Sequence, residues 1–414
     1  MKVNRAVRLE LAPNQAQLNQ FRQHAGLARY VYNWALQHHR DWWDGNKDKE
    51  KEDRDKRPNN VSLSREWTRT IDDHAPWARL LIRSTVTFAL KAVDEAYKHA
   101  FRRLKEGIPI KKAGMPKMKT RRSPRRFAVQ DQAFKYDRKH IRVGKIGMVR
   151  VKGTTERLDG ARVLRIAVSE RAERWFASVM VEREIADPVP KETPILGMDL
   201  GLAITLSDGR PELEPPMHLN RMLRTLQRRS RQLSRKRGPS PGRPPSGKWK
   251  KAKLALQRFH MRVANARSDW LHKVSLKLSK EAGLLVTEGF DVRGLVSEEV
   301  EFRDRRREIL DIGWGDLRRL CAYKTDERGA TFLQLGKHQI TDRTCCECGA
   351  DNPRTGSHYH CPSCGNRTTR RRNTAKLLAK YGRGECPIPT GGHPERGRRK
   401  SSNARGAKGS VADV

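Results

Sequence analysis

No aspartate or glutamate occurs between Asn352 and Gly384. A metal centre built on carboxylates can draw no ligand from that stretch. Acids are scarce elsewhere too. Against 47 Asp and Glu stand 88 Lys and Arg, giving a formal net charge of +41 and a pI near 10.6. An imbalance of that size bears on partners more than on fold, and it points to a polyanion, nucleic acid first. Long apolar runs are missing as well. None approaches the ~18–20 residues of a spanning helix. No basic amphipathic stretch has the apolar face that a membrane surface requires, and Met1-Lys-Val-Asn-Arg5 lacks a signal peptide's apolar stretch. The expectation is a cytoplasmic, nucleoid-associated protein with no membrane partner. Cysteine is sparse, with seven in 414 residues. Four of them form two C-x-x-C pairs, which in a reducing compartment reads as metal binding rather than disulfide.

What is present divides the chain. Residues 1–11 alternate apolar and polar, with Val3, Val7, Leu9 and Leu11, and predict a strand ended by Pro13. Leu18, Phe21, Leu27, Val31 and Trp34 recur at helical spacing over 15–43. A charged loop over 44–60 follows, then a helical stretch over 62–105. Residues 101–130 carry eleven Lys or Arg against one Glu, with Pro109, Gly114, Pro116 and Pro124, and read as a loop facing an anion. Strand patterns return over 126–186 and suggest a small antiparallel barrel with helices inserted after its first strand. Beyond Pro188 and Pro190, the run 194–209 predicts two strands around a tight turn, and Gly283-Leu-Leu-Val-Thr-Glu288 a short buried strand with an acid at its end. Residues 221–280 hold nineteen Lys or Arg against a single acid, Asp269, and read as a helical hairpin with its tip at 238–247. Past Gly382 the composition is that of a disordered basic tail.

The most specific motif is Cys345-x-x-Cys348, twelve residues, then Cys361-x-x-Cys364, each pair followed by glycine, Gly349 and Gly365. Four thiolates at that spacing close a tetrahedral Zn2+ site, structural rather than catalytic because no position stays open. Two carboxylates stand at strand ends, Asp199 and Glu288. The basic blocks give candidate nucleic-acid contacts at Lys117, Lys119, Arg121, Arg122, Arg228, Arg229, Arg235, Lys236, Lys250 and Lys251, which grip phosphates without choosing sequence. Tyr30 and Asn33, on the first helix, are further nucleic-acid-binding candidates, with core packing as the plainer reading for their neighbour Trp34. Trp249 and Phe259 can stack on bases or pack, and Trp270 reads as core.

Seven segments, in order and spacing, resemble one known family. They are Ala28-Arg-Tyr-Val-Tyr-Asn-Trp-Ala-Leu36, Pro116-Lys-Met-Lys119, Leu196-Gly-Met-Asp-Leu-Gly201, Arg262 to His272, Thr287-Glu-Gly-Phe-Asp-Val-Arg-Gly-Leu295, Trp314 with Tyr323-Lys324, and Thr344 to Gly365. Over about residues 1–381 the chain resembles the TnpB family of transposon-encoded, RNA-guided DNA nucleases, relatives of the type V CRISPR effectors. The resemblance implies an α+β multidomain fold. A wedge-type β-barrel (1–12 and 126–190) would carry an inserted helical recognition domain (13–125). A RuvC-like, ribonuclease-H-fold domain (191–340 and 366–381, helical insertion 218–280) would carry an inserted zinc ribbon (341–365), and a disordered basic tail (382–414) would follow. It also implies a guide RNA with a structured scaffold and a target double-stranded DNA with a short flanking motif, read by the N-terminal half.

The resemblance further implies catalytic roles for Asp199 and Glu288, and it exposes a departure. The family's third catalytic Asp lies just past the second cysteine pair, in a pattern like Asp-Arg-Asp-x-Asn-Ala-Ala. Here Thr369-Arg-Arg371-Arg-Asn373-Thr-Ala375 aligns, with Arg371 where the acid belongs. That exchange alters the local charge by two units and makes the centre poorly suited to Mg2+. Arg371 is then expected to pair with Asp199 or Glu288 as a tethered counter-ion. Two other readings stay open. Arg370-Arg-Arg372 reads also as a solvated basic helix start, and an acid from elsewhere, Asp291, Asp342, Glu347 or Asp351, can replace the missing one. The functional expectation is RNA-guided DNA binding with an inactive or impaired nuclease, acting by target occupancy such as transcriptional repression. The alternatives are an active RNA-guided endonuclease with a displaced carboxylate, associated with a transposon or CRISPR array, and a general RNA-binding accessory protein.

Overall fold

The computed structural model describes residues 1–385, apart from 51, 131–133, 202, 241, 290–311, 337–342 and 353–355. Asp291, Asp342, the end of the 287–295 motif and the tail beyond 385 therefore lie outside the described residues. The chain forms two units, Met1–Ala186 and a second beginning at Asp187.

In the first unit β1 (Lys2–Ala12) lies in the middle of a six-stranded antiparallel sheet. The other strands are β2 (Arg126–Val129), β3 (His140–Arg142), β4 (Met148–Lys152), β5 (Arg162–Arg171) and β6 (Arg174–Glu184), in the order β2-β5-β6-β1-β4-β3. The sheet is a half-barrel whose edges are β2 and β3, so the closed barrel read from the strand patterns is met only in part. Val7, Leu9 and Leu11 alternate into a core with Val149, Val168 and Val179. Between β1 and β2 come α1 (Gln15–Asn46), α2 (Asn60–His74), a 3-10 turn (Pro76–Leu80), α3 (Arg83–Lys105) and the short α4 (Ile110–Ala113). Asn14 starts α1 and Asn59 starts α2, each with a reciprocal capping box. The helical stretch expected over 62–105 is broken at Ala75, since Pro76 cannot donate to a continuing helix. Leu27, Val31, Leu63, Trp67, Leu90 and Val93 form the helices' shared core.

The second unit is built on a four-stranded sheet in the order β10-β9-β7-β8. Its strands are β7 (Ile195–Leu200), β8 (Ile204–Leu206), β9 (Leu284–Thr287) and β10 (Thr331–Gln334), with β7, β9 and β10 parallel and β8 antiparallel. The hairpin helices α5 (Met217–Ser234) and α6 (Gly247–Glu281) fall between β8 and β9, and α7 (Trp314–Asp326) precedes β10. Leu196, Met198 and Leu200 face a core with Trp270, Leu271 and Val274 of α6 and Trp314 and Leu317 of α7. The opposite face of the sheet is covered by α8 (Arg370–Arg383), through Val286, Leu377 and Leu378. Strands β11 (His358–His360) and β12 (Arg367–Thr369) form a small separate ribbon.

Candidate functional site

The sheet's two faces decide where the acids point. Side chains alternate along a strand, and Leu196, Met198 and Leu200 are committed to the α6–α7 core. Asp199 therefore shares the other face with Ile195 and Gly197, under α8. A Cβ at Gly197 would collide with the Ala375 carbonyl of that helix. Strands β7 and β9 run parallel with Met198 beside Thr287, and the Thr287 hydroxyl donates to the Met198 carbonyl at 3.1 Å. The next residues in register are Asp199 and Glu288. Each lies one residue beyond the last paired position of the two strands, and strand alternation directs both side chains to the α8 face. Both residues are half-buried.

The row continues across the sheet. Asp199 lies opposite Thr205 of β8. Leu213 bridges Ile204 through two backbone hydrogen bonds of 3.1 and 2.9 Å, which brings Glu212 beside Thr205. The Thr205 hydroxyl donates to Glu212 Oε1 at 2.7 Å. Glu288, Asp199, Thr205 and Glu212 thus form one transverse row. Nothing local marks Glu212 in the sequence, where it sits in a loop of turn-forming residues.

Arg371 closes the row from above. It lies in the first turn of α8, one helical turn before Ala375, and a Cβ at Gly201 would sit 2.6 Å from its guanidinium carbon. Its ion pair is with Glu212, Nη1 to Oε2 at 3.7 Å. This partner is a third carboxylate beside the expected Asp199 and Glu288, brought within the arginine's reach by the bridge at Leu213. Arg372 donates to the carbonyls of Gly209 and Arg210 at 3.0 and 3.2 Å. Arg371 and Arg372 do stand at the helix start, as the basic-helix-start reading has it, and both also reach the loop after β8. Of the described acids proposed as replacements, Glu347 pairs with Lys376 and Lys380 at 3.3 and 3.6 Å, and Asp351 bridges Thr344 beside the cysteines.

The sulfur atoms of Cys345, Cys348, Cys361 and Cys364 lie within 4.8 Å of one another. The contacts Cys345–Cys364 at 3.7 Å and Cys348–Cys361 at 3.6 Å match the roughly 3.8 Å between thiolates around one tetrahedral zinc at about 2.3 Å. Each pair turns on a glycine with φ of +76°, Gly349 and Gly365, whose N–H returns to the Cys345 or Cys361 carbonyl. Burial raises the Cys361 thiol, but the N–H groups of Cys364 and Ser363 and the Asn352 amide bring it down to about 6. The Asn366 N–H lowers Cys364, yet the neighbouring sulfurs carry it up to about 12. Four such thiols ionise together only around a cation. The donor set, the distances and the paired knuckles all fit Zn2+. His358 and His360 lie outside the cluster. The ribbon is tied to α8 at Asn373, which accepts from the Cys346 N–H at 2.9 Å and donates to the Thr344 carbonyl at 2.7 Å.

The candidate nucleic-acid residues divide by exposure. Lys117, Arg121, Arg122, Arg228, Arg235, Lys236, Lys250 and Lys251 are exposed. Arg229 lies over the Phe259 ring at 4.4 Å. Trp249 packs across the hairpin tip at Gly238, and Trp270 is core. Two others are turned inward. The Asn33 side chain both donates to and accepts from the Lys119 backbone, at 2.8 Å each way. The Lys119 ammonium sits 3.2 Å from the centre of the Tyr32 ring, where burial, with Arg126 nearby, lowers it to about 7. These two side chains staple the basic loop to α1. Tyr30 is 37% exposed and donates to the His74 carbonyl at 3.1 Å.

Three family descriptions match the chain: a helix-turn-helix domain over residues 1–48, a "Probable transposase" over 177–298, and a Cas12f1-like TNB domain over 314–378. In this structure residues 1–48 hold β1 and the single helix α1. Among curated proteins, the chain is 30% identical over 385 residues to "Putative RNA-guided DNA endonuclease InsQ" of Escherichia coli (strain K12), covering 87% of this chain and 88% of that one. A Streptomyces pristinaespiralis protein, "Putative RNA-guided DNA endonuclease", is 27% identical over 408 residues, 95% of this chain and 93% of its own. Among solved structures, the mini-RNA-guided endonuclease CRISPR-Cas_phi3 aligns over 94% of this chain and 93% of its own, at a TM-score of 0.36 and 8% identity.

Proposed function

Because the chain belongs to the TnpB family of RNA-guided DNA nucleases, we propose that it binds double-stranded DNA under the direction of a guide RNA, and that its nuclease centre is inactive or impaired. It then acts by occupying its target, as in transcriptional repression. Base pairing with the guide selects the sequence, while the protein grips phosphates and reads a short flanking motif. In this reading the half-barrel is the wedge domain, α1–α4 the recognition insert, and the four-stranded sheet with α8 a RuvC-like domain bearing a zinc ribbon on its four cysteines. The exposed basic residues of 117–122 and of the α5–α6 hairpin carry RNA or DNA backbone, in the cytoplasm at the nucleoid.

One observation carries the impairment: the Arg371 guanidinium lies over Gly201, two residues past Asp199 along the chain, and pairs with Glu212. A two-metal centre concentrates carboxylates so that two divalent cations can be held. A fixed cation in that space repels them, and Glu212 is already engaged with it. With Arg371 among them, the carboxylates of the row are poorly suited to Mg2+.

Glu212 favours a second reading, an active endonuclease whose third acid comes from the loop after β8. The test is a matched duplex, the copurified guide and Mg2+, with wild type, Asp199→Ala and Glu212→Gln compared. Tight matched binding without cutting by wild type is expected. Cutting that Asp199→Ala and Glu212→Gln each abolish would overturn the inactive reading in favour of the second. Equal affinity for matched and unmatched duplex would sink both and leave a general RNA-binding role.

A further inference from the structure

A cleft of about 360 Å3 opens on the first unit between α1 and the segment Trp77–Ile82, with Lys145 and Ile146 at its side. Its depth is apolar, from Leu27, Leu81, Ile82 and Ile146, and Trp77, 44% exposed, forms a wall. At its rim are the exposed side chains of Gln20, Gln23 and Lys145. Among the described residues no carboxylate lines it. His24 adds no charge there, since its Nδ1–H donates to the Gln20 carbonyl at 2.8 Å and its Nε2 accepts from the Ile82 N–H at 3.2 Å. That arrangement is the neutral ring, and burial keeps the pKa below its ordinary value.

Gly26 lines the same cleft from the middle of α1. Glycine weakens a helix interior relative to alanine. Packing does not explain it here, because a Cβ at Gly26 would meet nothing within 4 Å. The space that the missing side chain leaves is the cleft itself. Gln20, Gln23, Leu27 and Tyr30 recur on one face of α1, and Tyr30, itself part-exposed, meets Trp77 edge-on with ring centres 5.8 Å apart. A second aromatic surface thus adjoins the mouth.

We infer that this cleft receives one unpaired nucleobase of a bound strand, against Trp77, with the Gln20 and Gln23 amides at the base's edge and Lys145 on an adjoining phosphate. The volume is that of a small-ligand site. An aromatic wall over an apolar floor suits a flat ring, and stacking of this kind accepts any base. Paired donors and acceptors on two amides suit a base edge. A lone cation with no opposing acid selects an anionic ligand, in a chain of net charge +41. The proposal rests on the reading of the chain as a nucleic-acid-binding protein, and it adds a site to the phosphate tracks.

The experiment uses the full chain at about 0.5 M NaCl, where phosphate contributions are suppressed and base contacts stand out. Single-stranded oligo(U) RNA and oligo(dT) DNA are photocrosslinked to wild type, Gly26→Leu and Trp77→Ala, and the adducts are located by mass spectrometry. Adducts at Trp77 or Tyr30 are expected. Gly26→Leu, which fills the cleft, should remove them and weaken binding about tenfold, with an unchanged or higher Tm. Adducts with RNA alone assign the base to the guide, and with DNA alone to an opened target strand. Adducts confined to other segments, or wild-type affinity in Gly26→Leu, would overturn the pocket while leaving guided binding intact. No binding of either probe by wild type, even at low salt, would overturn the nucleic-acid reading too.

Discussion

His39 shows how a single buried ring can couple the fold to pH. It is 3% exposed on α1, its ring centre is 4.7 Å from that of Tyr97, and neither ring nitrogen has a hydrogen-bond partner among the described residues. Burial first, and Arg57 second, lower its pKa to about 4, while Asp94 at 3.8 Å pulls the other way. Below about 6.5 the unfolded chain takes up a proton that the folded chain refuses down to about 4. The stabilisation from the neutral ring is therefore complete above pH 6.5 and lost as the pH falls towards 4. The loss amounts to about 3 kcal/mol at most. Urea unfolding of the first unit between pH 7 and 4 should show it, and His39→Phe should flatten that part of the profile. An unaltered slope in the variant would remove His39 as the cause. At this scale the sequence was only partly legible. Asp199 and Glu288 could be read because each ends an apolar strand. Glu212 could not, since one backbone bridge and the Thr205 hydroxyl create its position only after folding. Asn33 and Lys119 have the chemistry of nucleic-acid contacts, yet a pairing across 86 residues of sequence turns them inward.

Among the elements, β7 and α8 depend on each other most closely. Two glycines of β7 and its end meet α8 in different ways. Gly197 is covered by helix backbone, at Ala375 and Ala379, whereas Gly201 is covered by the end of the Arg371 side chain. Backbone cannot yield without lifting the helix, but a guanidinium can swing aside. Gly197→Ala should cost the second unit about 3 kcal/mol or more. Gly201→Ala should cost about 1 kcal/mol or less while releasing Arg371 from Glu212. Denaturant midpoints of the two variants measure the contrast, and equal losses would contradict it. Periodicity revealed most of these elements, including β1, α1, the α5–α6 hairpin and β9. It passed over the break at Pro76, where apolar spacing continues on both sides of the interruption. It could not distinguish an open half-barrel from a closed barrel, because local alternation of side chains is the same in both.

At the scale of the whole molecule the two units rest on different supports. The first has a conventional core on both its sheet and its helices. The second joins its ribbon to its sheet through Asn373 and α8, so the metal proposed for the cysteines acts on more than the ribbon. Chelation should lower the Tm of the second unit, and hydrogen exchange should rise in α8, with the first unit unchanged. An equal response in both units would oppose this division. The order and spacing of motifs made the family legible from sequence. The row of side chains under α8 was not, because it gathers residues from four separate segments.

The placement of β1 also has a consequence for how the protein is made. It leaves the ribosome well before its partner strand, for Lys2 pairs with Glu184 and Leu11 with Trp175. At about 5–20 residues per second, β1 waits on the order of ten to forty seconds for its principal neighbour. During that interval α1, α2 and α3 can join through their own core, since their contacts need no later segment. The nascent chain therefore carries a strand with both edges open beside a finished helical cluster, which makes translation speed across β4–β6 a determinant of yield.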